Sequence, residues 1–364
     1  ETYSNVTIDN ISKNKCFHIL GTLDNLISIF VITPLVVAYW RGCWGLCDIY
    51  IYPSDIVIST FLSTAIGIIL EILLCVSAKT LEKIYIYEDH PFKYILLSRT
   101  YIFIYCFASI NKWRGVWEIW DQYTGISCGS AIFSTALGVL LLLATRSFNN
   151  PMWAAPLYVC IDNSEEMYDI PTIFKKKNDK FQYQLLDVTY TVALVLNLII
   201  FVWRGIWTLL DKLLFPSVKF YSALGSLSIG LILTCLGIMV QTLLGPWLKQ
   251  VKYGFGKIIF EYIFYLISSV AVINIWRGYW YLLDVFLLPE NVLLSHIISF
   301  VMGIGVLMLL FCSNSIMDRG ADMDSEDVGI EFLNEYLNVF YRMRLEKTNF
   351  EIEKCETSRD PITN

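Results

Sequence analysis

The chain has 364 residues, of which 56% are apolar, 15% aromatic and only 16% charged, with 27 Lys and Arg against 33 Asp and Glu. A soluble domain carries about 25% charged residues, so this composition and a mean hydropathy of +0.55 argue against a soluble enzyme and for a polytopic membrane protein. The acidic balance also argues against nucleic acid as a partner, since phosphate binding needs a basic face.

In chain order, residues 1–20 form a short N-terminal segment with two glycosylation sequons, Asn5-Val6-Thr7 and Asn10-Ile11-Ser12. Eight apolar stretches follow, at about 23–44, 56–78, 94–117, 126–145, 186–207, 219–244, 257–280 and 292–312. Each approaches the roughly 20 residues of a spanning helix, and none alternates as a barrel strand would. The expected fold class is therefore an all-α polytopic membrane protein with eight transmembrane helices. A first four-helix half occupies 21–146 and a second 186–315, joined by a connector, 147–185, with three prolines and the basic run Lys175-Lys176-Lys177. The tail, 316–364, carries Ile330, Leu333, Leu337, Phe340, Tyr341 and Leu345 at helical spacing. That stripe predicts an amphipathic helix against the protein's own bundle or at the membrane surface.

Lysines and arginines concentrate in the connectors after the even spans, which places both termini and the 147–185 connector in the cytosol. The sequons conflict with that topology, because they act only on a lumenal segment. The charge count takes precedence over two short motifs.

The organising feature is an internal repeat. Four copies of W-R-G-x-W-x3-D occur: Trp40-Arg41-Gly42-Cys43-Trp44 with Asp48, Trp113-Arg114-Gly115-Val116-Trp117 with Asp121, Trp203-Arg204-Gly205-Ile206-Trp207 with Asp211, and Trp276-Arg277-Gly278-Tyr279-Trp280 with Asp284. Successive arginines are 73, 90 and 73 residues apart, so two halves of two units each are expected. A proline lies twelve residues after the arginine in three copies, at Pro53, Pro216 and Pro289, and is missing from the second. Every even span has small residues at i, i+4 and i+8: Ser59, Ser63, Gly67; Ser130, Ser134, Gly138; Ser222, Ser226, Gly230; Ser295, Ser299, Gly303. Such ridges serve close helix packing, or alternatively line a polar path. Each unit holds an even number of spans, so the copies share one orientation and the expected architecture is four parallel two-helix repeats in two pseudo-symmetric halves.

The motif has two readings. In one it is an interfacial belt, with Arg–Asp pairs stapling the helices and Trp anchoring them. In the other the charges ring an outward vestibule for an ion or small polar solute. Residues that break the repeat are stronger site candidates than those that obey it. Glu71 has no acidic counterpart at Leu142, Thr234 or Leu307, and an ionisable group deep in a span is either functional or a paired structural glutamate. Asn111 and Asn274 precede two of the arginines by three residues, and Asn197 lies in the fifth span; such amides bond across helices or line a path. No catalytic or metal-ligand constellation and no cofactor motif is expected. The three histidines are dispersed, and no HExxH, GxSxG or phosphate loop is present.

Eight spans, cytosolic termini and elements such as WRGCWGLCD and WRGYWYLLD resemble the fuseless family of invertebrate neuronal membrane proteins, over about residues 20–315. The resemblance implies a presynaptic plasma-membrane protein that organises or localises voltage-gated calcium channels for transmitter release, and it implies no catalytic residues. The leading expectation is thus a non-enzymatic protein acting through protein partners in the presynaptic channel machinery, with lipid around it and homo-oligomerisation left open. A transporter or channel with a path along the pseudo-symmetry axis is the alternative, and lipid handling a weaker third.

Overall fold

A computed structural model describes residues 19–84, 91–162, 170–174, 180–252, 254–324, 330, 332 and 336–341. Among these residues the protein is all-α, without a β-strand. Eight long helices carry the fold: α1 Ile19–Tyr50, α2 Ile56–Ile84, α3 Pro91–Thr124, α4 Cys128–Ala144, α5 Phe181–Leu213, α6 Lys219–Gln250, α7 Phe255–Phe286 and α8 Val292–Leu309.

Six of the eight are long and apolar enough to cross a bilayer: α1, α2 over Ile56–Ala78, α5, α6, α7 and α8. The other two fall short for identifiable reasons. In α3 the motif is surrounded by Lys112, Glu118 and Asp121 in addition to Arg114, which dilutes its apolar window. In α4 only 17 residues are helical.

The motif helices α1, α3, α5 and α7 form an inner ring, each touching the next around an axis. The others stand outside it: α2 packs on α3, α4 on α5, α6 on α7 and α8 on α1. Burial follows that order, with 56% of the apolar window buried in α5 and α7 against 28% in α6 and 22% in α8. Outward-facing Ile69, Leu73, Leu140, Ile232, Met239 and Val301 give the periphery the apolar surface expected to meet lipid.

Glycine makes the outer contacts close. A Cβ on Gly303 would stand 2.7 Å from the Tyr39 amide nitrogen of α1, and one on Gly230 would stand 2.9 Å from the Ala271 carbonyl of α7. The motif glycines answer from the other side, with Gly42 against the Phe300 and His296 backbone. Both small-residue sets are therefore helix interfaces, in line with the close-packing reading of the ridges. The motif glycine bends nothing; α1 runs helically through Gly42 to Tyr50.

Each inner helix leaves the ring through a left-handed residue, Tyr52 at φ 48°, Phe215 at 47° and Leu288 at 47°. All three precede the repeated prolines. The second copy has no proline and uses Gly125 at φ 72° in the same register, where glycine carries no Cβ penalty. The outer helix then starts on a side-chain cap in three units, from Asp55, Ser127 and Asn291.

The outer helices come in two lengths. Helices α2 and α6 have 29 and 32 residues, α4 and α8 only 17 and 18. After the short ones the chain turns through Arg146 and Phe311, at φ 52° and 54°, and enters the bundle as two largely irregular segments, 147–162 and 312–324, each with one short 3-10 helix, Asn150–Met152 and Ser313–Ile316. Their residues Met152, Ala155, Leu157, Ile316 and Ala321 are almost wholly buried.

The tail docks on its own bundle. Ile330 and Phe332 are buried, Phe332 stacks on Phe264 at 5.5 Å, and Tyr336 donates to the Leu310 carbonyl at 2.7 Å. Asp24, early in α1, accepts from the Leu337 and Asn338 amides, so the two ends of the described chain meet at one end of the bundle. Leu333 and Leu345, the remaining stripe positions, lie outside the described residues, as do the sequons at Asn5 and Asn10.

Candidate functional site: a stapled tryptophan cage above an interlocked plug

All four arginines are buried, Arg114, Arg204 and Arg277 being the largest fully buried side chains described, and none faces the axis as an open charged rim. Each pairs with the aspartate of the preceding copy: Arg114 with Asp48 at 2.5 Å, Arg204 with Asp121 at 2.6 Å, Arg277 with Asp211 at 2.9 Å, and Arg41 with Asp284 at 2.6 Å, which closes the circle. The rest of each guanidinium sits on the serines of the preceding outer helix. Arg114 donates to Ser63 and Ser59, Arg277 to Ser226 and Ser222, and Arg41 to Ser299 and Ser295. Arg204 reaches Ser130 and adds the Gly125 carbonyl, while Ser134 donates instead to Phe201. A buried guanidinium costs several kcal/mol to desolvate unless its donors are met, and here each is met by a carboxylate and by hydroxyls or carbonyls. The charges thus staple neighbouring units.

What faces the axis is indole. Trp40, Trp113, Trp203 and Trp276 close a ring with neighbouring centroids 5.5, 5.4, 5.3 and 5.5 Å apart, at interplanar angles of 77–90°. One helical turn on, Trp44, Trp117, Trp207 and Trp280 close a second ring at 5.9, 5.8, 5.8 and 6.0 Å. Edge-to-face pairs are favoured by the indole quadrupole, each worth about 0.5–1.5 kcal/mol beyond burial.

The first ring stands on the two inward segments. Trp203 donates to the Pro151 carbonyl and Trp40 to the Ile316 carbonyl, both at 2.9 Å; Trp276 donates to Ala155 at 2.7 Å and Trp113 to the Asp318 carboxylate at 3.2 Å. The segments also lock each other. Asp324 accepts from the Phe148 and Asn149 amides at 2.9 and 3.0 Å, and Asp162 accepts from the Ser313 and Asn314 amides at 3.1 and 2.8 Å. Burial pushes the Asp324 carboxyl above its usual range, against the pull of those amides. Irregular backbone is tolerated at such depth only where protein satisfies it.

Between the rings and this plug lies a cavity of about 300 Å³, lined by all eight motif tryptophans, Glu118 and Tyr281, and by plug residues including Trp153 and Asp318.

The repeat-breaking candidates divide. Glu71 is wholly buried and accepts from Lys112 at 2.6 Å, with Asp318 of the plug 3.6 Å from the same ammonium. It is a paired glutamate. The amides of Asn111, Asn197 and Asn274 each donate at 2.8 Å to the carbonyl four residues back, at Phe107, Ala193 and Val270. In a continuous helix the preceding turn supplies the nearest acceptor. Lys112, Glu118 and Asp318 went unnoticed in the sequence. The test that singled out Glu71 would have found the first two, since Tyr39, Val202 and Ile275 replace Lys112, and Gly45, Thr208 and Tyr281 replace Glu118.

No curated protein and no solved structure matches the chain. One family model does, over residues 19–317, which takes in all eight helices and all four motifs. By that match the chain belongs to the Fuseless family.

Proposed function

We propose that the chain is an eight-span neuronal membrane protein of the presynaptic plasma membrane that organises or regulates ion channels through protein partners. Family membership supports a neuronal membrane protein. The eight spans, as four parallel two-helix repeats, are supported by the cyclic Arg–Asp pairing, in which every copy meets its neighbour in the same way. Helix α3 joins the spans because its Lys112, Arg114 and Asp121 are paired inside the bundle, and the 17-residue α4 still reaches about 25 Å.

The observation that carries a scaffold over a conduit is the plug. Two segments locked by Asp162 and Asp324 fill the axis beneath the tryptophans, and the four motif arginines are paired inside the bundle. Both termini are cytosolic in this reading, which agrees with the meeting of Asp24 and the 336–341 segment. A channel organiser so built keeps its organising activity in Glu71→Gln and loses it when the Asp24 contact is removed, scored by calcium-channel clustering at release sites. The opposite pattern overturns the reading. The conduit alternative is favoured by one observation, the axial cavity. Ion flux in liposomes holding the purified protein decides it, because selective flux abolished in Glu71→Gln requires an open path.

A further inference from the structure

The axial cavity combines three features that a merely packed core does not need. Nine of its lining residues are tryptophans, more than of any other type. Its charged lining residues are Glu118 and Asp318, with no lysine or arginine among them. Its floor includes Trp153, 8% exposed, whose Nε1 has no hydrogen-bond partner among the described residues.

The charges nearby do not cancel. The four motif arginines are taken by the four aspartates. Arg319, below the cavity, is held by Asp322 at 2.9 Å. Lys112 offsets one of the two carboxylates it touches, Glu71 and Asp318. Glu118 has no hydrogen-bond or ion-pair partner among the described residues, and its position in the other three copies is Gly45, Thr208 and Tyr281. The cavity is therefore formally negative, which disfavours an anion.

Indole faces favour a cation as well. Neighbouring centroids at 5.3–5.5 Å put opposite indoles of the first ring roughly 7–8 Å apart, so a charge on the axis lies about 4 Å from every centroid, inside cation–π range. The protein already uses the same chemistry beside the cavity, where Arg319 stacks over Trp153 at 4.7 Å and Tyr158 at 5.1 Å. An inorganic cation would demand a shell of oxygen ligands that an indole cage lacks. A small organic ammonium sheds water more readily and meets indole rings on every side.

We infer that the tryptophan cage between the motif rings and the plug is a binding site for a small organic ammonium ion, with Glu118 as its counter-charge and Trp153 Nε1 as donor to an oxygen on the same ligand. This goes beyond the organising role proposed above and does not depend on it. Cavities of this volume sit at the lower end of small-molecule sites, which suits a ligand of choline size.

The test uses the purified full chain in nanodiscs, with intrinsic fluorescence as the readout, since nine of its 11 tryptophans line the cavity. Choline, tetramethylammonium and dimethylbutanol, the neutral carbon isostere of choline, are titrated in turn. Choline and tetramethylammonium are expected to saturate the signal, with the isostere at least tenfold weaker. Glu118→Gln, at an unchanged thermal midpoint, weakens both cations about tenfold. Trp153→Phe weakens choline several-fold and leaves tetramethylammonium, which has no oxygen, unaffected. Equal binding of choline and its isostere, unchanged affinity in Glu118→Gln, or no saturable response to either cation from folded wild-type protein would each overturn the assignment.

Discussion

The stapled layer and the plug occupy the same axis yet are built on opposite rules. In the staples every copy follows one plan: arginine to the preceding aspartate and to serine of the preceding outer helix, with a carbonyl in place of the second serine at Arg204, glycine against the preceding helix, tryptophan against its neighbour. In the plug only the two halves correspond, through Asp162 and Asp324, and even they differ where Trp113 meets a carboxylate and Trp276 a carbonyl. The difference teaches where to look for activity. A layer that repeats fourfold meets a folding need common to all units. The irregular layer brings unmatched charges, Lys112, Glu118 and Asp318, to one place.

The comparison breaks first if the staples prove dispensable. Arg204→Met leaves Asp121 facing its neighbours without a partner and should cost about 3–5 kcal/mol, read as a large fall in the thermal midpoint in detergent. Arg204→Lys should not restore it, because an ammonium cannot fork to Asp121, Ser130 and Gly125 together. A wild-type midpoint in either variant would remove the stapling role.

The Lys112 triad is the second test. Lys112→Met strands two buried carboxylates and should lower stability by roughly 3 kcal/mol, while the pair Glu71→Gln and Lys112→Met should recover a good part of it. Strict additivity in that double-mutant cycle would mean that Glu71 and Lys112 do not act as a unit.

A matched pair of glycines sharpens the packing claim. Gly303→Ala places a methyl 2.7 Å from the Tyr39 nitrogen and should cost about 1–3 kcal/mol, whereas Gly305→Ala, two residues on, meets nothing within 4 Å. Equal thermal midpoints would show that α8 does not press on α1. The smallest effect is expected at the plug contact: Trp203→Phe keeps most of the ring but loses the bond to Pro151, about 1 kcal/mol. Faster hydrogen exchange across 147–162 would register that loosening; unchanged exchange would separate the tryptophan ring from the plug.

Much was legible beforehand. Hydropathy gave an all-α membrane chain, six of whose helices meet the length and composition of a span. Repetition marked Arg41, Arg114, Arg204 and Arg277 with their aspartates, and it left two uses for them, staple or vestibule. That choice depends on which face of the helix meets a neighbour, and a one-dimensional pattern does not hold it. The asparagines are a related case: the turn before each supplies an acceptor at 2.8 Å, a pairing that residue type alone does not reveal.

The sequence by itself determined the period, the helices and the residues that every unit shares, because those follow from local spacing and from the cost of placing backbone in an apolar medium. Only the tertiary structure decided that each arginine belongs to the preceding unit's aspartate, that eight indoles turn inward, and that two short outer helices let the chain re-enter and close the axis. These are relations between segments far apart in the chain, 243 positions between Arg41 and Asp284 and 276 between Trp40 and Ile316. They are fixed when burial forces every charged and polar group to find a partner in the folded bundle.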